Sequence, residues 1–350
     1  MLLLDSVENI KKLLICGLAK NTGKTVALNS LLEESRRRSE VVGVTSIGRD
    51  GERFDVINSD IEKPCIYLCA GTLVATTLGL LKESGISHQL LKRTAYRTPM
   101  GVVVVARLLA DGEVEVAGPN SAKEICKVGD DMLDMGVDRV LIDGAINRKA
   151  AASPMIADGI VLSTGAVLDT DLHEVVKETK NSVDKILVTE IADMRIKKIM
   201  EETPVNVAVK KNYDVIALNY LDSLMGEKSS ITELVKKNSN IDYLLFKGAL
   251  CEDLAKELLK VLRNRKLICV VRDSSKLFLG NQSLEWYAQQ GLIIRVVYPT
   301  RLKAITVNPV APGSHIFNSD KLLRMVREVI SDVCVINVCD ENYTSQISVL

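Results

Sequence analysis

Short apolar runs alternate with amphipathic segments along the first part of the chain. The runs are rich in Val, Leu and Ile, which is typical of strands buried in a parallel sheet. They are KLLIC (12–16), EVVGVTS (40–46), CIYLC (65–69), GVVVVA (101–106), DRVLID (138–143), DGIVLS (158–163), DKILVT (184–189) and VNVAV (205–209). Between several of them, the spacing of apolar residues predicts helices over residues 25–38, 123–136 and 171–182. Alternating strands and helices predict an α/β fold with a parallel sheet.

A second block of the same kind begins near residue 210. Its predicted strands are YDVIAL (213–218), IDYLLF (241–246), KLICVV (266–271), LIIRVVY (292–298), KAITVN (303–308) and VCVINV (333–338). No Gly/Ser-rich linker separates the two blocks. The pattern therefore predicts one domain over residues 1–205 and a second, smaller α/β domain over residues 206–350.

Two stretches are ambiguous in this pattern. Asp111-Gly112 lies between apolar runs and predicts a β-hairpin. Residues 64–81 carry no charge and reach the lower length limit of a membrane span. Because Pro64, two glycines and three threonines interrupt this stretch, we expect a buried strand followed by a helix that starts near Thr72, and no membrane span.

Composition narrows the class of protein. The chain has 350 residues, with 45 Lys+Arg and 45 Asp+Glu, so it lacks the basic excess expected of a nucleic-acid-binding protein. Eight dispersed cysteines, mostly inside apolar runs, indicate reduced thiols. The N-terminal MLLLD is too short for the apolar segment of a signal peptide, which favours a cytoplasmic location. The three histidines are not clustered and predict no zinc site.

The segment KLLICGLAKNTGKTVALNSLL (12–32) carries the strongest functional signal. A strand ends at Cys16, a turn runs from Gly17 through Lys20, Asn21 and Thr22 to Gly23, and an amphipathic helix follows Lys24 and Thr25. Backbone N–H groups of such a loop, together with the helix dipole, bind phosphate. Lys24 then reaches the β- and γ-phosphates of a nucleotide, and the Thr25 hydroxyl ligates Mg²⁺. The alternative is a strand-to-helix turn that binds nothing.

The spacing of this loop departs from the common pattern of P-loop NTPases. That pattern places glycine five residues before the glycine that precedes the lysine, and this chain has Leu18 there, with Gly17 one residue earlier. The longer form GLAKNTGKT resembles the loop of dethiobiotin synthetase and the cobyrinic acid amide synthases. The resemblance implies an ATP-binding P-loop domain. Min-type relatives have a further lysine that acts across a dimer interface, and Lys20 lies one residue away from that place, so a homodimer is compatible with the resemblance.

Acidic residues follow two of the predicted strands. Asp50 follows GVTSIGR, and Asp143 ends RVLID, which is followed by Gly144. Ligands of open α/β sheets bind at the carboxyl ends of strands. Both carboxylates are therefore candidates to hold Mg²⁺ or to orient a nucleophile, and Lys24, Asp50 and Asp143 form the predicted catalytic set. The alternatives are a helix cap for Asp143 and a solvated turn for Asp50.

A narrower resemblance is to the reactivase subunits that accompany lysine 5,6-aminomutase in lysine fermentation. It rests on GLAKNTGKT, GVTSIGRDGE, TPMG, DGEVEVAGP and VLIDGAINRK, with ITVNPVAPGSHIF near the C-terminus. The resemblance implies an ATP- and Mg²⁺-dependent hydrolase that helps to restore an adenosylcobalamin-dependent aminomutase. It also implies a second, MutS-like subunit as partner.

Two other functions remain open at this point. One is a small-molecule ligase of the dethiobiotin synthetase type, in which ATP activates a carboxylate or carbamate bound by Ser46 and Arg49. The other is a regulator that senses nucleotide without hydrolysing it. The size of the second domain favours a partner-binding role, with residues 206–350 in docking or subunit assembly. Trp286 and Tyr287 are the most anchor-like pair there, although a buried helix is the favoured interpretation of this pair.

Overall fold

The computed structural model describes residues 2–47, 66–144, 153–218, 230–262 and 265–340. Over these ranges the chain is α/β, with a large mixed sheet that is mostly parallel. The chain divides into two compact units. The first unit consists of Met1–Thr179 and Arg301–Leu350, and the second consists of Lys180–Thr300.

The regular elements follow each other in the alternating order that the pattern predicts. In chain order the described strands and helices are β1 (Lys12–Gly17), α1 (Lys24–Arg37), β2 (Val42–Ser46), β3 (Ile66–Leu68), β4 (Leu73–Thr77), α2 (Leu78–Glu83), β5 (His88–Thr98), β6 (Gly101–Leu108), β7 (Gly112–Val114), α3 (Ala122–Asp134), β8 (Arg139–Asp143), β9 (Gly159–Gly165), α4 (Leu172–Ile186), α5 (Met194–Glu202), β10 (Val207–Lys210), β11 (Val215–Ala217), α6 (Ser230–Lys237), β12 (Ile241–Phe246), β13 (Leu250–Cys251), α7 (Glu252–Leu262), β14 (Leu267–Val271), β15 (Leu277–Phe278), α8 (Leu284–Gln289), β16 (Leu292–Val296), β17 (Leu302–Asn308), β18 (Val310–Ala311), β19 (His315–Ile316), α9 (Ser319–Val329) and β20 (Cys334–Ile336).

A nine-stranded sheet organises the first unit, in the order β20-β17-β9-β1-β8-β2-β4-β6-β5. Neighbouring strands from β20 to β4 run parallel, and β6 and β5 form an antiparallel hairpin at one end. The parallel strands all end at the same side of the sheet, which we call the carboxyl edge. Gly17, Ser46, Asp143 and Asn308 lie there, each as the last residue of its strand.

Burial explains why the central strands form. β1 lies between β8 and β9, and its residues from Leu13 to Cys16 are inaccessible to solvent, as expected of an interior parallel strand covered on both faces. Helix α1 buries Ala27, Leu28 and Leu31, which helical spacing places on one side. The Ser121 hydroxyl caps α3 by accepting a hydrogen bond from the Glu124 N–H, so the helix begins where the sequence predicts.

The second unit has its own five-stranded sheet, in the order β11-β10-β12-β14-β16. Strands β12, β14 and β16 are parallel, whereas β10 runs antiparallel to both of its neighbours. Helix α7 buries Leu254, Leu258 and Leu262 at a spacing of one turn. Tyr287 of α8 is fully buried and Trp286 packs against the same core, so the interpretation of this pair as a core helix is confirmed.

Most of the predicted strands are present, but DKILVT (184–189) is not one. Helix α4 continues to Ile186, and only Glu190 makes an isolated bridge, to Val296. Val183 and Ile186 are both buried and lie three residues apart, so they extend the apolar side of the helix. A run of four apolar or small residues does not by itself distinguish a strand from a helix end.

Two further expectations in the first unit are wrong. Strand β7, which follows Asp111, pairs with β3 and not with the preceding β6, so Asp111-Gly112 does not close a hairpin. No helix starts near Thr72, because Leu73–Thr77 form strand β4, buried between β2 and β6. Helix α2 begins only at Leu78. Among the described residues, no helix is long and apolar enough to cross a membrane.

The boundary between the units also differs from the predicted one at residues 205 and 206. Strand β17, predicted to belong to the second domain, pairs with β9 from Leu302 to Asn308 and extends the large sheet. Strand β20 then pairs with β17. Sequence order cannot show this return, because an apolar strand such as KAITVN fits the edge of either parallel sheet.

Candidate functional site

The loop Gly17–Thr25 joins β1 to α1 at the carboxyl edge, in the strand–loop–helix order that the sequence predicts. Gly23, immediately before α1, has a left-handed backbone with φ +88°, and Asn21 is left-handed with φ +64°. A Cβ on Gly17 would lie 2.3 Å from Thr22 Oγ1, so the turn requires glycine there. Glycine is therefore favoured at the two positions for different reasons: the left-handed backbone at Gly23 and the lack of space for a Cβ at Gly17.

The backbone of this loop has a row of unused donors. Leu18 N–H donates to Ser163 O at 2.9 Å, and Ala27 N–H donates to Gly23 O at 3.0 Å. Between these two residues, the N–H groups from Ala19 to Val26 donate no hydrogen bond to any protein atom in the described part of the chain. Consecutive free donors at the start of a helix attract anions.

Lys24, the first residue of α1, forms an ion pair with Asp143 at the end of β8. Lys24 Nζ lies 2.5 Å from Asp143 Oδ1, and the two side chains are 27% and 25% exposed. The backbone register positions the pair, because Ile15 of β1 lies opposite Asp143. Ile47 N–H also donates to Asp143 O at 2.8 Å, which fixes the strand end. Lys24 and Asp143, predicted separately, therefore lie in direct contact.

The other polar residues of the loop differ in exposure. Thr22 is buried, and its hydroxyl donates to Ala19 O at 3.0 Å, so it stabilises the turn. Thr25 and Lys20 are exposed to solvent. Neither has a hydrogen bond or ion pair from its side chain to another protein group within the described ranges. The Thr25 hydroxyl is thus accessible to a ligand, and the Lys20 ammonium group has no partner in the part of the chain that the structure describes.

Asn308 is a site residue that the sequence analysis did not single out. It ends β17, and its amide Nδ2 donates to Asn21 O at 3.1 Å. A Cβ on Gly23 would lie 3.1 Å from Asn308 Cβ, so the two residues are in close approach. The segment ITVNP, which ends an apolar strand with Asn-Pro, was the available signal. It was missed because this strand was assigned to the other domain.

The floor of the site is formed by buried hydroxyls and a buried thiol. Ser163 Oγ and Thr306 Oγ1 lie 2.8 Å apart in a hydrogen bond between β9 and β17. Burial raises the pKa of Cys16 to about 12, and the nearby charge of Lys24 acts in the opposite direction. Cys16 is therefore a neutral thiol beneath the loop and not a nucleophile at physiological pH.

Ser46 is held by main-chain groups. Its hydroxyl donates to Val116 O at 2.9 Å and accepts from Gly118 N–H at 3.0 Å. A Cβ on Gly118 would lie 2.0 Å from Ser46 O, so this segment packs directly on the end of β2. The hydroxyl of Ser46 therefore has a structural role.

Asp50, the second predicted acid, and Arg49 lie outside the described residues. Among the residues that the structure does describe, no group of three or more His, Cys, Asp or Glu side chains is arranged to hold a metal ion. Mg²⁺ at a nucleotide site takes one or two protein ligands and completes its coordination with phosphate oxygens and water. Thr25 and Asp143 remain candidate ligands of this kind.

Comparison of the chain with protein-family models, with curated proteins and with solved structures found no match.

Proposed function

We propose that the Gly17–Thr25 loop binds the phosphates of ATP together with Mg²⁺. The observation that carries the proposal is the row of free N–H groups from Ala19 to Val26, directly beside the Lys24 ammonium group. A polyphosphate satisfies these donors, and the N-terminus of α1 adds favourable electrostatic potential. Asn308 supports the loop from the neighbouring strand through its hydrogen bond to Asn21.

The ion pair between Lys24 and Asp143 fits a site for a metal-bound polyanion. Lys24 has Asp143 as its counter-ion, and a nucleotide phosphate is an alternative counter-ion for the same ammonium group. The Asp143 carboxylate, together with the exposed Thr25 hydroxyl, would hold Mg²⁺. The metal ion neutralises charge that develops on the phosphates during transfer. The role of Asp50 in this proposal is to orient the attacking water.

The activity that we favour is hydrolysis of ATP in a reactivase subunit for an adenosylcobalamin-dependent lysine 5,6-aminomutase. This part of the proposal depends on the resemblance of the loop and strand-end motifs. In it, a MutS-like subunit and the aminomutase are the protein partners. The second unit, Lys180–Thr300, is large enough to bind one of them.

The ligase alternative has less support. It assigns substrate binding to Ser46, whose hydroxyl is engaged with Val116 and Gly118. A carboxylate or carbamate would have to displace these main-chain contacts. Ser46 is also buried, at 5% exposure, so a substrate would not reach it without a shift of the Gly118 segment.

The function is tested with the full-length chain in two steps. Calorimetry with ATP, with and without Mg²⁺, tests binding, and we expect binding that Mg²⁺ strengthens. Phosphate release is then measured alone, with the MutS-like subunit and cobalamin-inactivated aminomutase, and against a panel of small carboxylic acids. Stimulation by the proteins and recovery of mutase activity would support the reactivase. Stimulation by a carboxylic acid alone would identify a ligase, and absence of ATP binding would refute the whole proposal.

A further inference from the structure

The hairpin of β5 and β6 has an unusual charge distribution. From Ser84 to Ala110 the chain contains no Asp or Glu, and it contains four basic residues, namely Lys92, Arg93, Arg97 and Arg107. The whole chain has equal numbers of acidic and basic residues. This hairpin is therefore a local positive region on a neutral protein.

Most of this positive charge has no acidic partner among the residues that the structure describes. Lys92 pairs with Asp131 of α3 at 2.6 Å. Arg93, Arg97 and Arg107 are exposed, and none of their guanidinium groups has a hydrogen bond or ion pair in the described part of the structure. Exposed arginines that lack partners keep their donors available for carboxylates, which they bind in a two-pronged geometry.

The register of the hairpin places two of these arginines and an apolar residue together. Arg93 lies opposite Val104, Arg97 opposite Val102 and Leu90 opposite Ala106. Directly opposed residues share a face of the sheet, and alternate residues along β6 point to the same side. Leu90, Arg93 and Arg97 therefore lie on one face, and Leu90 is 49% exposed.

Strand β5 is also the last strand of the sheet on this side. In the described residues it pairs only with β6, so its outer backbone groups face away from the sheet. The ladder shifts register between Leu90 and Lys92 and again between Arg93 and Arg97. Such irregularities oppose indiscriminate strand pairing, so selectivity at this edge depends on side chains.

We propose that the face of β5 defined by Leu90, Arg93 and Arg97 binds an acidic, extended segment of a partner protein. Carboxylates of the segment bind the two arginines, an apolar residue covers Leu90, and the free edge of β5 provides main-chain donors and acceptors. The site lies five strands from β1, roughly 24 Å at 4.8 Å per strand. It is independent of the nucleotide proposal.

Two other occupants are less compatible with these observations. A second copy of this chain paired along β5 would bring the arginines of both copies together, and like charges directly opposed are destabilising. A nucleic acid would use the arginines but leave the alternating donors and acceptors of the strand edge unpaired, and phosphate accepts only. An extended acidic peptide can pair with both sets of groups. Its carboxylates bind the arginines, and its backbone forms hydrogen bonds with the outer edge of β5.

The experiment uses the full-length chain and a fluorescein-labelled peptide of alternating Glu and Val, followed by fluorescence anisotropy. Matched probes are a Lys/Val peptide and a labelled 20-nucleotide oligo-dT. The test variant is Arg93→Glu/Arg97→Glu. The control Lys198→Glu/Lys237→Glu makes the same change of charge at side chains that are 72% and 76% exposed in the second unit. Thermal unfolding checks that both variants are folded.

We expect the Glu/Val peptide to bind in preference to the Lys/Val peptide, with binding weakened by salt. The arginine variant should lose at least tenfold in affinity, whereas the control should lose less than twofold. Leu90→Ser should weaken binding without abolishing its salt dependence. No binding of the acidic peptide, equal loss in the control, tighter binding of oligo-dT, or concentration-dependent dimerisation that is abolished by the arginine variant would each overturn the proposal.

Discussion

Both units contain parallel strands, but the turns that follow the strands differ in how their polar groups are hydrogen-bonded. After β1 in the first unit, the backbone N–H groups from Ala19 to Val26 have no partner within the described ranges. After β14 in the second unit, buried Asp273 accepts from Ser275 N–H at 3.0 Å. Ser274 and Thr300 also share a hydrogen bond of 2.8 Å. After β12, Lys247 N–H donates to Asn206 Oδ1 at 2.8 Å.

This difference indicates what would separate the proposed anion site from an ordinary strand end. A position at the carboxyl edge of a parallel sheet does not by itself create a binding site. In the second unit, Asp273, Ser274 and Asn206 satisfy the polar groups of the turns and place a carboxylate there. In the first unit, the carboxylate of Asp143 is paired with the Lys24 ammonium group, and the N–H groups of the loop have no partner among the described residues. Four substitutions test this comparison: two have a counterpart in the second unit, one has a counterpart elsewhere in the first unit, and one has none.

The largest effect is expected for Lys24→Ala, with Lys247→Ala as its counterpart after β12. Lys24→Ala removes the ammonium group beside the free N–H groups, so ATP affinity or turnover should fall at least tenfold, about 1.4 kcal/mol. Lys247 donates to Met200 O and caps α5, so its loss should affect stability and leave nucleotide binding unchanged. Calorimetry on both variants is the measurement. Unchanged affinity and turnover in Lys24→Ala would show that the loop does not bind nucleotide through this lysine.

Asp143→Asn should have a smaller effect that depends on the metal. It retains the size of the side chain and removes the charge that attracts Mg²⁺. We expect Mg-ATP binding or hydrolysis to fall by about fivefold, roughly 1 kcal/mol, and metal-free ATP binding to change less. Asp273→Asn retains the turn acceptor in the second unit and should change neither. A similar loss with and without Mg²⁺ would count against a metal role for Asp143.

Asp50→Asn sharpens the division of roles between the two predicted acids. If Asp50 orients the attacking water, its amide variant binds Mg-ATP nearly normally and turns it over more slowly. Single-turnover hydrolysis separates this outcome from a binding defect. Equal and negligible effects of Asp50→Asn and Asp143→Asn would mean that other carboxylates serve the site.

Gly23→Ala and Gly136→Ala both introduce backbone strain, but only the new Cβ at residue 23 also meets a neighbouring side chain. Both glycines are left-handed, with φ +88° and +90°, so alanine costs roughly 1–2 kcal/mol in each. Nothing lies within 4 Å of a Cβ at Gly136, whereas one at Gly23 meets Asn308. Each variant should lower Tm by roughly 2–4 °C per kcal/mol. Only Gly23→Ala should also weaken ATP binding, which calorimetry at a temperature below both transitions measures.

The last prediction concerns the reactivity of two buried thiols, Cys16 in the first unit and Cys269 in the second, and we expect no effect on nucleotide binding. Burial raises the pKa of both thiols, for Cys16 from 9.0 to about 12. Neither should react with a thiol reagent at pH 8 in the folded protein, whereas Cys339, which is exposed although burial also raises the pKa of its thiol, should react faster than both. Because the unfolded thiols ionise first, their contribution to stability is complete below about pH 9 and falls as pH rises toward 12. Labelling followed by mass spectrometry, and unfolding between pH 8 and 10, test this.

Sequence reasoning located the loop because its signal is local. Gly17, Gly23, Lys24 and Thr25 lie within nine consecutive residues, and strand, turn and helix are adjacent in the chain. The position of Asp143 at the carboxyl edge could also be predicted, since an acid at the end of a buried strand is visible in the pattern. Their contact follows from β1 and β8 being neighbours in the sheet, which the carboxyl-edge argument anticipates.

The features that could not be predicted depend on contacts between segments that are far apart in the sequence. Asn308 could not be assigned to the site, because nothing in KAITVN indicates which sheet it joins. The pairing of β7 with β3 likewise depends on the sheet as a whole, although Asp111-Gly112 has good turn chemistry. The end of α4 was misassigned because Ile186 fits two patterns: it shares a buried helical face with Val183, and it also begins the short apolar run Ile186–Thr189.

At Arg301 the chain leaves the second unit and completes the first, which has a consequence for folding during synthesis. Asn308 contacts the loop from 287 residues further along the chain. A ribosome adds roughly 5–20 residues per second, so this interval takes roughly 15–60 s. Throughout that time the emerging loop lacks its β17 neighbour, and the second unit can fold while the first is still incomplete. Loss of the last fifty residues would therefore deprive the N-terminal loop of its support, and a truncation at residue 205 would remove β17 and β20 as well as the second unit.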